Sequence, residues 1–172
     1  MKTKLLIALT AGLISSAVMA GGDHSGGHMD MSGHEGMHMG GHHHSGDSAV
    51  GLPGKDLPIT KTINVSTLDN MRFKFSDEPG LKAGDVVKFI VTNEGKVKHE
   101  FSIGDAKEQK SHAAMMSSMP NMKHEDGNTV TVNPGETREV IWQFTAAAEV
   151  IFACNVPGHF EAGMFKKETV IP

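Results

Sequence analysis

The stretch Cys154-Asn-Val-Pro-Gly-His159-Phe-Glu-Ala-Gly-Met164 places a thiol, an imidazole and a thioether at even intervals in one loop. Cys154 is the only cysteine among the 172 residues. A thiolate and an imidazole bind copper well, and a thioether can serve at longer range as a weak axial ligand. Pro157-Gly158 reads as a turn that folds the loop back, so that Cys154 and His159 can face one ion. A trigonal His2Cys centre needs a second imidazole. The best candidate is His99, in Gly95-Lys-Val-Lys-His99-Glu-Phe101, just after the apolar run Val86 to Val91. Two plainer readings compete. A lone cysteine is often a small buried apolar residue. A Cys–His pair can also be catalytic, but that chemistry wants a third, orienting residue and leaves Met164 without a role.

The flanking sequence reads as short strands. Ile59 to Thr67 is rich in Ile, Val and Thr, and Met71, Phe73 and Phe75 alternate onto one face. Val87, Phe89 and Val91 share a side of the next strand, and Phe101 and Ile103 share the face of His99. Thr129 to Val132, Arg138 to Phe144, Glu149 to Cys154 and Lys167 to Ile171 continue the pattern, with turns at Pro79-Gly80, Ala83-Gly84-Asp85 and Asn133-Pro-Gly135. The expected fold is all-β: a sandwich of seven or eight strands. Residues 104–128 interrupt it. There Met115, Met116, Met119 and Met122, with His112 before them and His124 after, suit a short helix that Pro120 would break. Such methionines pack well on a sheet. They also suit a second, soft-metal site using His112 or His124.

His99, Cys154, His159 and Met164, in that order, resemble the ligand set of the cupredoxins, the small blue copper proteins. The Cys-x4-His-x4-Met spacing is similar to the rusticyanin and auracyanin branch. Met71-Arg-Phe-Lys-Phe75, Gly84-Asp-Val-Val-Lys-Phe89 and Asn93-Glu-Gly95 resemble the first half of the family, and the likeness covers about residues 59–172. It implies a Greek-key sandwich holding one type 1 copper, and, with the N-terminal region, it is most similar to periplasmic copper-resistance cupredoxins of the CopI type. One departure is Glu100, where many members carry Asn directly after the first histidine. That implies altered hydrogen bonding around the sulfur.

Residues 1–20 read as a cleaved signal peptide: Lys2 and Lys4, an apolar run from Leu5 to Val18, and Val18-Met-Ala20 as the cleavage site. Export explains why a single thiol would need an occupant, because an unpaired cysteine in an oxidising compartment is otherwise reactive. Removing the two lysines of residues 1–20 takes the formal charge from −4 to −6. No basic patch points to nucleic acid, and no later segment is apolar enough to span a membrane.

Residues 21–58 read as a disordered tail and linker, the latter marked by Leu52-Pro-Gly54 to Pro58. His24, His28, His34, His38, His42, His43 and His44 are interleaved with Met29, Met31, Met37 and Met39. Thioethers suit Cu(I) and imidazoles suit Cu(II) or zinc, so the mixture favours further copper ions here. The bland alternative is a solubilising leader.

The expected function is therefore periplasmic copper tolerance through capture, storage or redox handling of copper, by a monomer that meets copper ions and a redox or copper-transport partner. The alternative is a soluble electron carrier between respiratory partners. Pro157, Phe160, Ala162 and Phe165 around His159 would give either protein an apolar docking surface or extra core. No enzyme activity is expected: multicopper oxidases need several His-x-His elements, including one around the thiolate, whereas here the only one is His42 and His44 in the tail and Cys154 is flanked by Ala153 and Asn155.

Overall fold

The structure, a computed structural model, describes residues 48–172. The expected signal peptide and the tail through residue 47 lie outside the described residues. In chain order the elements are β1 (Leu52–Pro53), β2 (Lys61–Leu68), β3 (Arg72–Phe75), β4 (Val86–Asn93), β5 (His99–Gly104), α1 (Ala106–Ser118), β6 (Glu125–Asp126), β7 (Thr129–Val132), β8 (Thr137–Gln143), β9 (Ala148–Ala153) and β10 (Phe165–Val170). Eight strands have four or more residues, and β1 and β6 are two-residue edge pieces.

They form two five-stranded sheets, ordered β1-β8-β4-β2-β3 and β10-β9-β5-β7-β6. The chain passes from one sheet to the other between β4 and β5, back between β7 and β8, and across again between β8 and β9. β2 and β4 pair in parallel, from Lys61↔Val87 to Thr67↔Asn93, because the chain returns through β3 and the following turns before β4 begins. The other named pairings are antiparallel.

The alternation read from sequence is what fills the space between the sheets. Val87, Phe89 and Val91 of β4 meet Phe101 and Ile103 of β5, and all five are fully buried. Phe101 stacks on Phe152 at 5.4 Å, and Phe89 lies 5.3 Å from each of those rings. Burying aromatic rings supplies a large share of such a core's stabilisation.

Three elements differ from the sequence expectation. Residues 52–58, read as linker, begin with β1, which pairs Leu52↔Gln143 and Pro53↔Trp142, and Val50 just before it is fully buried. Pro53 is tolerated because β1 is an edge strand. Gly51 has φ 144°, and a Cβ there would collide with the Gln143 carbonyl, so only glycine permits this approach. The helix starts earlier than the methionines suggest. Asp105 accepts from the Glu108 N–H at 2.8 Å while the Glu108 carboxylate accepts from the Asp105 N–H at 2.7 Å, a reciprocal cap. It ends at Ser118 because Met119 precedes Pro120, which disfavours helical backbone there. Finally, Met71 is not part of β3. It closes a turn on Leu68 at φ 60°, the one non-glycine with positive φ among the described residues.

Candidate metal centre

Antiparallel pairing of Ser102 with Ala153 sets the end of β9 against the middle of β5, so the chain leaving β9 runs toward the start of β5. Cys154, the residue after β9, therefore lies beside His99 and Glu100. The loop then turns back on itself. His159 N–H donates to the Val156 carbonyl at 2.9 Å, Met164 N–H to the His159 carbonyl at 3.0 Å, and Cys154 N–H to the Met164 carbonyl at 3.0 Å. These bonds fix the Pro157-Gly158 turn, with Gly158 at φ 87°.

The result is a compact donor group. His99 Nδ1 is 3.2 Å from His159 Nδ1, which is 3.4 Å from Cys154 Sγ, and the ligand atoms of the three residues all lie within 4.8 Å of one another. Met164 is fully buried. His99 and Cys154 are also fully buried and His159 is half-buried, so the group reaches solvent on the His159 side.

Neighbours set the chemistry of these donors. Asp69 Oδ1 sits 3.3 Å from His99 Nε2, and the carboxylate is itself held by the Lys96 N–H at 2.8 Å. The Asp69 contact favours a proton on Nε2 and leaves the Nδ1 lone pair facing the donor group. Gly95 makes room for this contact, since a Cβ there would collide with the Asp69 carboxylate. The Lys96 N–H, more than any other partner, holds the Asp69 carboxyl below its ordinary range. Burial pushes His99 below the usual imidazole value, with Asp69 opposing it, and burial followed by the His99 charge lowers His159. Both rings are thus held in the neutral form that binds metal.

Burial pushes the Cys154 thiol up to about 12, against the Glu100 N–H that donates to Sγ at 3.2 Å. A thiol so reluctant to ionise by itself suits a cation that deprotonates it on binding. One soft sulfur, two neutral imidazoles, one from β5 and one from the loop after β9, and a buried thioether at the end of that loop fit copper by donor type. The hydrogen bond to the sulfur comes from the backbone of Glu100, so replacing the family's Asn does not remove it.

Of the other candidates, His112 and His124 come together around Glu100, with Met116 Sδ 3.3 Å from His124 Nε2. Met115 is half-buried beside them and lines a cleft, Met119 is 42% exposed, and Met122 sits on the loop after α1. The tail residues His24, His28, Met29, Met31, His34, Met37, His38, Met39, His42, His43 and His44 lie outside the described residues. Sequence reasoning missed Asp69, which no spacing connects to His99, and the side chain of Glu100. Pro157, Ala162 and Phe165 are exposed and Phe160 is half-buried, stacked on Phe165 at 5.0 Å, so these residues form an apolar rim rather than core.

No family model matches the chain. The copper-resistant cuproprotein CopI of Vibrio cholerae serotype O1 is 42% identical over 173 residues, covering 96% of this chain and 96% of that protein. The chain belongs to the CopI family. CopI of Rubrivivax gelatinosus, also described as a copper-resistant cuproprotein, is 40% identical over 140 residues, 80% of this chain and 82% of its own length. Among solved structures, auracyanin A of Chloroflexus aurantiacus, described as a blue copper protein, aligns with a TM-score of 0.52 at 26% identity, covering 63% of this chain and 97% of that one. The two-sheet body of this CopI-family chain is accordingly of the cupredoxin type. Among the described residues, no helix is long and apolar enough to cross a membrane.

Proposed function

We propose that this CopI-family chain is a periplasmic type 1 copper protein acting in copper tolerance, with copper captured by the His/Met-rich tail and stored or redox-cycled at one site in the folded body. The observation that carries this reading is the convergence of His99 Nδ1, Cys154 Sγ and His159 Nδ1 within 4.8 Å at one end of the sandwich. Those three atoms would bind copper, with Met164 supplying a weak thioether ligand. Bound there, copper would supply one-electron exchange between Cu(II) and Cu(I).

The chain's own residues do the rest. Asp69 orients His99, and the Glu100 N–H stabilises negative charge on the sulfur. The hydrogen-bonded loop holds His159 and Cys154 near each other without the metal, which reduces rearrangement between oxidation states. The leader Lys2 to Ala20 supports a periplasmic location, and the curated relatives' description as copper-resistant supports the tolerance role. We read the protein as a binder rather than an enzyme, because a single thiolate flanked by Ala153 and Asn155 offers no partner site for oxidase chemistry.

A second reading, a soluble electron carrier, draws support from the apolar rim of Pro157, Ala162 and Phe165 beside half-buried His159. Deleting the gene separates the two. Loss of growth on copper with normal respiration is expected; intact copper tolerance with impaired respiration would overturn the tolerance role.

A further inference from the structure

The turn between β2 and β3 reaches the donor group from two sides. The Met71 N–H closes it on the Leu68 carbonyl at 3.0 Å, and the antiparallel ladder begins with the pair Leu68↔Arg72. Met71 takes φ 60° to complete the turn, a backbone that is unfavourable for a residue with a side chain. Asp69, inside the turn, lies behind His99 and accepts from the Lys96 N–H. Arg72, at the far end of the turn, reaches over to the loop that joins β9 and β10 in the other sheet. Its Nη1 donates to the Ala162 and Gly163 carbonyls at 3.1 Å each, and to the Met71 carbonyl at 2.7 Å.

Those two loop carbonyls immediately precede Met164. The rest of the loop is shaped by short-range bonds, such as the Ala162 N–H to the Gly158 carbonyl at 3.1 Å and the Gly163 N–H to the Phe160 carbonyl at 2.9 Å. Bonds of that kind give the loop its curl but do not locate it against β3. Among the described residues, Arg72 is the only side chain that donates to a carbonyl of this loop. Gly163 permits the approach: its φ is 92°, and a Cβ there would come within 2.8 Å of Arg72 Nη1. A guanidinium presents its donors in a fixed plane, and its charge strengthens each bond. The Arg72 side chain is exposed and its partners are carbonyls rather than a carboxylate, so neither core packing nor an ion pair accounts for its placement.

We infer that Arg72 is a positioning residue for the metal centre. It pins the Ala162–Gly163 end of the loop to β3, and so sets where the Met164 thioether stands relative to His99, Cys154 and His159. The inference rests on the copper reading above, in which Met164 is the weak axial ligand. The axial ligand is a lever on the reduction potential of such a site. The β2–β3 turn is then one brace with two arms: Asp69 fixes the His99 ring, and Arg72 fixes the approach of Met164.

The test compares two variants of the full mature chain. Arg72→Met keeps an unbranched side chain without the charge, and Arg72→Lys keeps the charge without the planar fork. In metal-free protein, the Ala162, Gly163 and Met164 amides should exchange hydrogen about tenfold faster in both variants, while β4 and β5 amides keep their wild-type rates. With copper bound, both variants should shift the thiolate-to-copper absorption and move the reduction potential in the same direction. That shift should persist in about 1 M salt, where an exposed charge is screened. Loop amides that exchange at the wild-type rate in both variants overturn the brace. Faster exchange with unchanged absorption and potential overturns the positioning role and leaves a structural tie. A potential that moves in Arg72→Met alone, and returns in salt, assigns the effect to charge and also overturns it. A wild type that takes up copper without a thiolate band defeats the copper reading instead, and the exchange rates still decide whether Arg72 holds the loop.

Discussion

Asp69 touches no sulfur, yet it decides which ring nitrogen of His99 is free. Removing it in Asp69→Ala should lower copper affinity about 10- to 100-fold, as loss of a carboxylate behind a ligating histidine commonly does; competition with a calibrated chelator reads this directly. The same neighbourhood sets a pH dependence in the metal-free protein. His99 and His159 are both held below the ordinary imidazole value, chiefly by burial. The unfolded chain therefore takes up protons first as pH falls past about 6.5. Stability from the neutral rings is fully present above that pH and is lost below it, so urea midpoints of metal-free protein should fall between pH 7.5 and 5.5. Asp69 adds a lower window: its carboxyl is depressed, so its contribution is present above about 3.9 and is lost as pH falls further. The convergence of His99, Cys154 and His159 was legible in sequence because the donor set proposed for copper is a strict one. Asp69 was not, because it is 30 residues away from His99 and is placed by the turn before β3 and by Gly95.

At the scale of elements, α1 depends on its reciprocal cap. Asp105→Ala removes the acceptor for the Glu108 N–H and should cost about 1 kcal/mol, measured by denaturant unfolding. Because α1 carries His112 and Met116, the same change should also loosen their ring and methyl signals. The cap is written in the sequence as Asp105-Ala-Lys-Glu108, but the methionine spacing drew attention further along. The strands were readable from alternation alone, since Val87, Phe89 and Val91 must all face the core if any does. β1 was not, because its proline and glycines look like a linker unless the partner strand β8 is known to accept an edge piece.

Across the whole molecule, one aromatic cluster supports the end of the sandwich that carries His99 and Cys154. Phe101 lies two residues from His99, is fully buried, and meets Phe73, Phe89 and Phe152 with ring centroids 5.3 to 5.5 Å apart. Phe101→Ala should cost about 3–5 kcal/mol by leaving a cavity between the sheets, seen as a lower denaturant midpoint. The central claim is that one sulfur and two imidazoles bind copper together, and visible absorption during Cu(II) titration of the mature chain tests it most directly. An intense thiolate-to-copper band should grow to a plateau in the wild type and be absent in a folded Cys154→Ser variant. A wild type that takes up copper without that band, or a band that survives the substitution, would contradict the account.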